Sequence, residues 1–189
     1  MRWKGNRRSK MESAPVKLVD LQVSICPSPL SDAAAEFLRD GRSRFSKIKC
    51  FDFVPSNYEN AWSILNQLTR GTFCEWGSGL GIVVGLAEYL GYESSGIEID
   101  PELAETSRDF LRQHGLKASI TTGSYLEESP VSANYYVYSW PGQIESVERR
   151  FLEIAPPDGR LLICYGQDEL RCMARSKPVA DAASIRDLT

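Results

Sequence analysis

Glu75-Trp76-Gly77-Ser78-Gly79-Leu80-Gly81 decides how the rest of this chain is read. Thr72, Phe73 and Cys74 make a short β-prone run into Glu75. The glycines then let the backbone turn sharply and bring bare peptide groups close to a ligand. Ile82 to Leu90 follows as an apolar helix, and Gly91 stands where it would stop. Strand, glycine turn and helix form the context that a nucleotide-cradling loop requires. A tight turn with no ligand is the alternative, and the following segment weighs against it.

That segment is Gly96-Ile97-Glu98-Ile99-Asp100-Pro101. Ser94 to Ile97 reads as a second strand ending at Glu98. Asp100 then suits the N-cap of another helix and Pro101 its first position. Leu103, Ser107, Phe110 and Leu111 share one face of that helix, and Gly115 closes it. A carboxylate at the tip of the second strand is placed to take hydrogen bonds from both hydroxyls of a ribose. Dinucleotide-binding folds use an acid at the same place, but their fingerprint is G-x-G-x-x-G with a small third residue. Here that third position is Ile82 or Val84, depending on the starting glycine, and neither fits. An anionic pyrophosphate would also be repelled by Glu75, whereas adenosylmethionine carries an ammonium and a sulfonium.

The remaining segments continue the alternation. Ser31 to Asp40 reads as a helix with Ala34, Phe37 and Leu38 on one face, closed by Gly41. Ser56 with Glu59 makes a capping box for a helix striped by Tyr58, Ala61, Trp62, Leu65 and Leu68. The capped end at Ser56 is placed to attract a ligand carboxylate. Ala118 to Thr122 is a third strand, leading to Ser124-Tyr125. Tyr135 to Ser139 is a fourth, running into Trp140-Pro141-Gly142. Ile144, Val147 and Phe151 mark a helix, and Leu161 to Tyr165 is the fifth strand. The expected fold is α/β and doubly wound: a mostly parallel sheet with helices on both faces. Ligands in such sheets sit at the carboxyl ends of the strands, where Glu75, Glu98, Ser124 and Ser139 fall.

With 189 residues the chain suits one domain, expected over 31–189, behind an irregular, partly disordered leader over 1–30. No apolar run approaches the roughly 20 residues a membrane span needs, so no membrane partner is expected. Five cysteines without C-x-x-C spacing point to reduced thiols and a cytoplasmic setting. The one histidine, His114, reads as a polar cap residue, and no metal site is expected. Net charge is −3, but the first ten residues carry +5, leaving −8 elsewhere. That basic arm suits phosphate backbones; a disordered tail, or a start at Met11, is the alternative.

From Phe53 to Tyr165 the chain resembles the class I, seven-stranded, Rossmann-like S-adenosylmethionine-dependent methyltransferases, on the E-x-G-x-G-x-G run and the terminal acid Glu98. Phe53-Val54-Pro55-Ser56 is similar to the lead-in of small protein-lysine methyltransferases related to those acting on the mitochondrial ATP-synthase c-subunit. The resemblance implies S-adenosyl-L-methionine as cofactor. It implies Glu75 and the backbone at Gly77 and Gly79, with Ser78 between them, beside the methionine end, Glu98 on the ribose and Ile99 against the adenine. Ser124, with Tyr125, stands where many members have an acid near the adenine amine. Ser139, Trp140 and Pro141 stand where amino-group methyltransferases have an Asn or Asp followed by prolines and an aromatic, and would meet the acceptor. The family's C-terminal hairpin looks abbreviated here. That would leave the fifth strand near an edge, where a homodimer could form. The implied function is methyl transfer to an unidentified acceptor (protein, small molecule or RNA, with an amine in view). A non-catalytic S-adenosylmethionine-binding sensor or scaffold is the alternative, and a nicotinamide oxidoreductase a third.

Overall fold

The computed structural model describes residues 17–50, 53–166 and 169–176. Seven strands form one sheet in the order β1-β7-β6-β5-β2-β3-β4. At its centre, β2 (Thr72–Trp76) runs parallel to β3 (Glu93–Glu98) on one side and β5 (Asn134–Tyr138) on the other. Parallel pairing extends from β3 to β4 (Ser119–Thr122) and from β5 to β6 (Arg160–Tyr165). Strand order reverses between β3 and β5 about β2, which opens a crevice at the carboxyl ends there. β2 and β5 are buried along nearly their whole length, as strands covered on both faces should be.

Four helices cover one face: α1 (Asp32–Arg44), α2 (Tyr58–Gln67), α3 (Ile82–Tyr89) and α4 (Pro101–Gln113). Phe37, Ile64, Leu65, Leu86 and Phe110 close the core between them and the sheet. The other face carries α5 (Ile144–Ile154), whose Val147 and Phe151 pack on Trp76, Tyr135 and Ile163. Trp76 also donates to Ser129 at 2.9 Å, and Arg150 donates to the carbonyls of Tyr125 and Glu127. These bonds draw the loop after β4 onto that face. Among the described residues, no helix is long and apolar enough to cross a membrane.

Several local expectations change. Gly41 lies inside α1, which continues to Arg44. A Cβ there would come within 2.8 Å of Ile82 Cδ1 and 3.2 Å of Phe110 Cζ, so this glycine serves close helix packing and not termination. The N-cap of α2 is Asn57, whose side chain accepts from the Asn60 amide at 3.0 Å, and the Ser56–Glu59 capping box is not formed.

The larger correction concerns the ends of the sheet. β7 (Glu169–Arg175) returns antiparallel along the full length of β6. β1 (Leu18–Asp20), from the segment expected to be an irregular leader, then pairs antiparallel with β7. Among the described residues the sheet therefore has seven strands, with β7 and β1 completing it beyond β6. The fifth strand of the parallel set, β6, is interior, which removes the edge that suggested a dimer. Residues 17–30 belong to the packed domain: Val23, Ile25 and Leu30 lie against the core, and Trp62 Nε1 donates to the Pro29 carbonyl at 3.1 Å. The basic arm and Met11 lie outside the described residues.

Candidate functional site

A cavity of about 640 Å³ opens where β2, β3 and β5 end. Its floor is the glycine turn. Gly77, Gly79 and Gly81 hold φ of 73°, 53° and 77°, a left-handed backbone that other residues adopt only under strain. The amides of Gly77 and Ser78 both donate to the Ile97 carbonyl at 2.9 Å, and the Gly81 amide donates to the Ser78 carbonyl at 2.7 Å. The Gly79 amide donates to Glu98 Oε2 at 2.7 Å. The N–H groups of Gly77, Ser78, Gly79 and Gly81 are thus engaged within the protein.

Glu98 sits at the junction. Its Oε1 accepts from the Asp100 amide at 2.9 Å while Oε2 holds Gly79, so one carboxylate staples the glycine turn to the tip of β3. The Gly123 amide donates to the Glu98 carbonyl at 2.9 Å and brings the loop after β4 to the same point. Glu98 is 6% exposed and lines the cavity, and each carboxylate oxygen has acceptor capacity left for a ligand.

Glu75 ends β2 and is 5% exposed. Its Oε2 accepts from the Val84 amide at 3.1 Å. The N-cap position of α3 is Gly81, which has no side chain to cap with, so a carboxylate from the preceding strand does so. Burial pushes the Glu75 carboxyl well above its ordinary pKa, the Val84 amide opposes that shift, and the negative Glu98 adds to it.

The other expected ligand-binding residues converge on the same hollow. Ser56 lines it just ahead of α2, Ser78 lies beside the glycines, and Ile99 lines it with 71% of its surface exposed. Ser124 and Tyr125 form the wall beyond β4, with Tyr125 stacked on Trp76 at 5.1 Å and 4°. That wall is rigid because the ring is held from behind.

The acceptor trio is only partly met. Trp140 lines the mouth, half exposed, edge-on to Tyr138 at 5.7 Å. Ser139 does not line the cavity. It is 2% exposed, and its hydroxyl donates to the Trp140 carbonyl at 3.2 Å. Pro141 starts an exposed 3-10 turn, Pro141–Gln143, and does not line the cavity either. Tyr138 and Gln143 take their places on the wall. β5 ends at Tyr138, one residue earlier than the reading that put Ser139 at its tip, and successive strand residues face opposite sides. Phe53 and Tyr58 also line the wall. Phe53 lies over the turn, with its Cε2 2.9 Å from where a Cβ on Gly79 would stand. The Tyr58 hydroxyl is pushed upward in pKa by burial and by the nearby Glu75 charge.

Charge sorts the ligands this hollow accepts. Glu75, Glu98 and Asp100 line it, and among the described residues no Lys, Arg or His does. With four of the turn's amides already engaged, it offers few N–H donors to an anion. Such a surface suits a cation-bearing molecule with sugar hydroxyls, and disfavours a pyrophosphate.

No protein-family model and no curated protein matches the chain in sequence. Solved structures match in shape. The SAH-bound Podospora anserina methyltransferase PaMTH1 superposes with a TM-score of 0.56 at 14% identity, covering 71% of this chain and 62% of that one. An RNA methyltransferase from Salinibacter ruber, in complex with S-adenosyl-L-homocysteine, gives 0.50 at 16% identity, covering 78% of this chain and 93% of that one. The mitomycin 7-O-methyltransferase MmcR gives 0.48 at 24% identity over 56% of this chain, which spans 34% of MmcR. The likeness to the Podospora anserina and Salinibacter ruber proteins, at these identities, establishes the fold alone.

Proposed function

We propose that this chain, whose fold is that of the class I S-adenosylmethionine-dependent methyltransferases, binds S-adenosyl-L-methionine and transfers its methyl group. The observation that carries the reading is the acidic wall of the cavity, free of cations among the described residues, above a glycine turn most of whose amides are already engaged. The residues fit the cofactor. A hollow of about 640 Å³ lies within the ordinary range for a ligand of this size. Glu98 would accept from the ribose hydroxyls. Glu75 and the carbonyls of the turn would face the ammonium, while Ile99 and Tyr125 would flank the adenine. When bound, the cofactor supplies an electrophilic methyl on a cationic sulfur.

This chain's own contribution is positional. Phe53 and Tyr58 narrow one side of the hollow, and Tyr138, Trp140 and Gln143 the other. An acceptor entering between them is held in line, an advantage that reaches about 7–11 kcal/mol in favourable cases. The Tyr138–Trp140–Gln143 wall is neutral and carries no carboxylate or imidazole to remove a proton. The acceptor class it suits is therefore one with a free lone pair, such as a neutral amine, with Trp140 enclosing its stem.

Calorimetry with adenosylmethionine and its demethylated product tests the reading. Both should saturate one site, and reduced nicotinamide dinucleotide should not bind. Glu98→Gln should weaken binding by about 1–3 kcal/mol, the range for hydrogen bonds to a charged acceptor. Absence of saturation by either compound overturns the proposal. Methyl-labelled cofactor in cell extract then tests transfer: a labelled acceptor supports the enzyme, and binding without transfer returns the scaffold alternative.

A further inference from the structure

A second hollow of about 560 Å³ adjoins the first, with Cys50, Asp100 and Leu103 lining both. One wall is the C-terminal end of α1 with the stretch that follows it, through the 3-10 turn Phe45–Lys47, to Cys50. The other wall is the first turns of α4, and Leu80 of the glycine turn also lines the space.

Charge is unevenly divided between the walls. Arg44, Lys47 and Lys49 stand on the first with one acid, Asp40, which is taken up by Arg44 and His114, and Asp100 and Glu102 stand on the second. Arg44 is already committed: it bonds Asp40 at 2.7 Å and Gln113 at 2.8 Å, with its guanidinium 4.7 Å from the Phe110 ring centre. Asp100 is committed as the cap of α4. Lys47, Lys49 and Glu102 have no ion-pair partner among the described residues. Two ammonium groups two residues apart on one wall repel each other, and neither has a carboxylate partner among the described residues.

We propose that this second hollow binds a small zwitterion. Its anionic group, a phosphate or carboxylate, sits between Lys47 and Lys49. Its ammonium faces Glu102, and its carbon skeleton lies on Ile48, Leu80 and Leu103. A polyanion fits less well, because a second phosphate would be driven toward Glu102 and Asp100. The volume is that of a small-molecule site. The two hollows meet at Cys50, Asp100 and Leu103, away from the Tyr138–Trp140–Gln143 wall, so occupancy of the second does not depend on the methyltransferase reading.

O-phosphoethanolamine is the probe, with inorganic phosphate and ethanolamine as its two halves, all at matched ionic strength against the full chain. Backbone amide shifts in residues 43–50 and 102–106 report occupancy. Phosphoethanolamine should bind about ten-fold more tightly than either half, the factor expected from one charge-assisted contact. The double variant Lys47→Glu/Lys49→Glu should weaken it by about ten-fold or more, by the same reasoning. Glu102→Gln should weaken phosphoethanolamine and leave inorganic phosphate unchanged. All three residues are solvent-exposed, so the variants should retain the circular dichroism of the parent and its affinity for adenosylmethionine. Absence of saturable shifts, equal binding of phosphate alone, or binding that survives the double lysine variant overturns the proposal. If phosphoethanolamine binds as expected while adenosylmethionine does not bind the parent, the methyltransferase reading fails and the second site stands.

Discussion

With its Oε2 on the Val84 amide, Glu75 anchors the first turn of α3 while it lines the ligand cavity. Glu75→Ala would leave that amide unsatisfied and hollow out the strand end, at a cost of about 1–3 kcal/mol measured by urea unfolding. Glu75→Gln keeps an acceptor for Val84 and removes the ionisation. Because burial raises the folded pKa of Glu75, its contribution is complete below the unfolded pKa and is lost as pH rises through the folded one. The Gln variant should therefore gain stability over the parent more at pH 8 than at pH 5. An equal difference at both values would mean that Glu75 ionises freely in the fold. At this scale the sequence was informative wherever residue type alone decides chemistry: an acid before three glycines, an acid at the next strand tip. It was uninformative for Ser139 and Tyr138, because a slip of one residue at a strand end exchanges the faces.

Between elements, the interface of α1 with α3 turns on Gly85 and Phe37. A Cβ on Gly85 would collide with the far edge of the Phe37 ring, which itself stacks on Phe110 at 4.7 Å. Gly85→Ala should gain about 1 kcal/mol of helix propensity and lose about 1–3 to overpacking, for a net loss of stability. Adding Phe37→Leu should recover part of it, and a double-mutant cycle showing strict additivity would count against the collision. The same helices explain why Gly41 misled: a glycine after an apolar stripe reads as a stop, and only the positions of Ile82 and Phe110 reveal that it marks close approach. α4 was readable end to end, since Asp100 caps it and Pro101 starts it whatever surrounds them. Asp40 ties α1 to α4 through His114 at 2.9 Å, and Arg44 and then His114 hold its carboxyl below the usual range.

At the scale of the molecule, β1 covers the edge of β7, and Asp20 pairs with Arg171 across them at 2.9 Å. Arg171, and the Gln22 amide after it, hold the Asp20 carboxyl low, so this support is complete above the unfolded pKa and fades as pH falls through the folded one. Asp20→Asn should make the parent's advantage shrink on acidification, read from urea midpoints between pH 7 and pH 3. Deleting residues 1–21 should expose β7, lower stability and cause concentration-dependent association by light scattering; a monomer of unchanged midpoint would show that β1 contributes nothing. No local pattern announces a strand of three residues, Leu18–Asp20, because its only reason to be extended is a partner far along the chain.

Asp20 and Arg171 lie 151 positions apart in the chain. On a ribosome adding roughly 5–20 residues per second, Leu18–Asp20 must wait on the order of ten to thirty seconds for its neighbour. During that interval Val19 and Leu21 have nothing native to pair with. Translation speed and chaperone access over that stretch would then govern the yield of native protein more than any single contact within it.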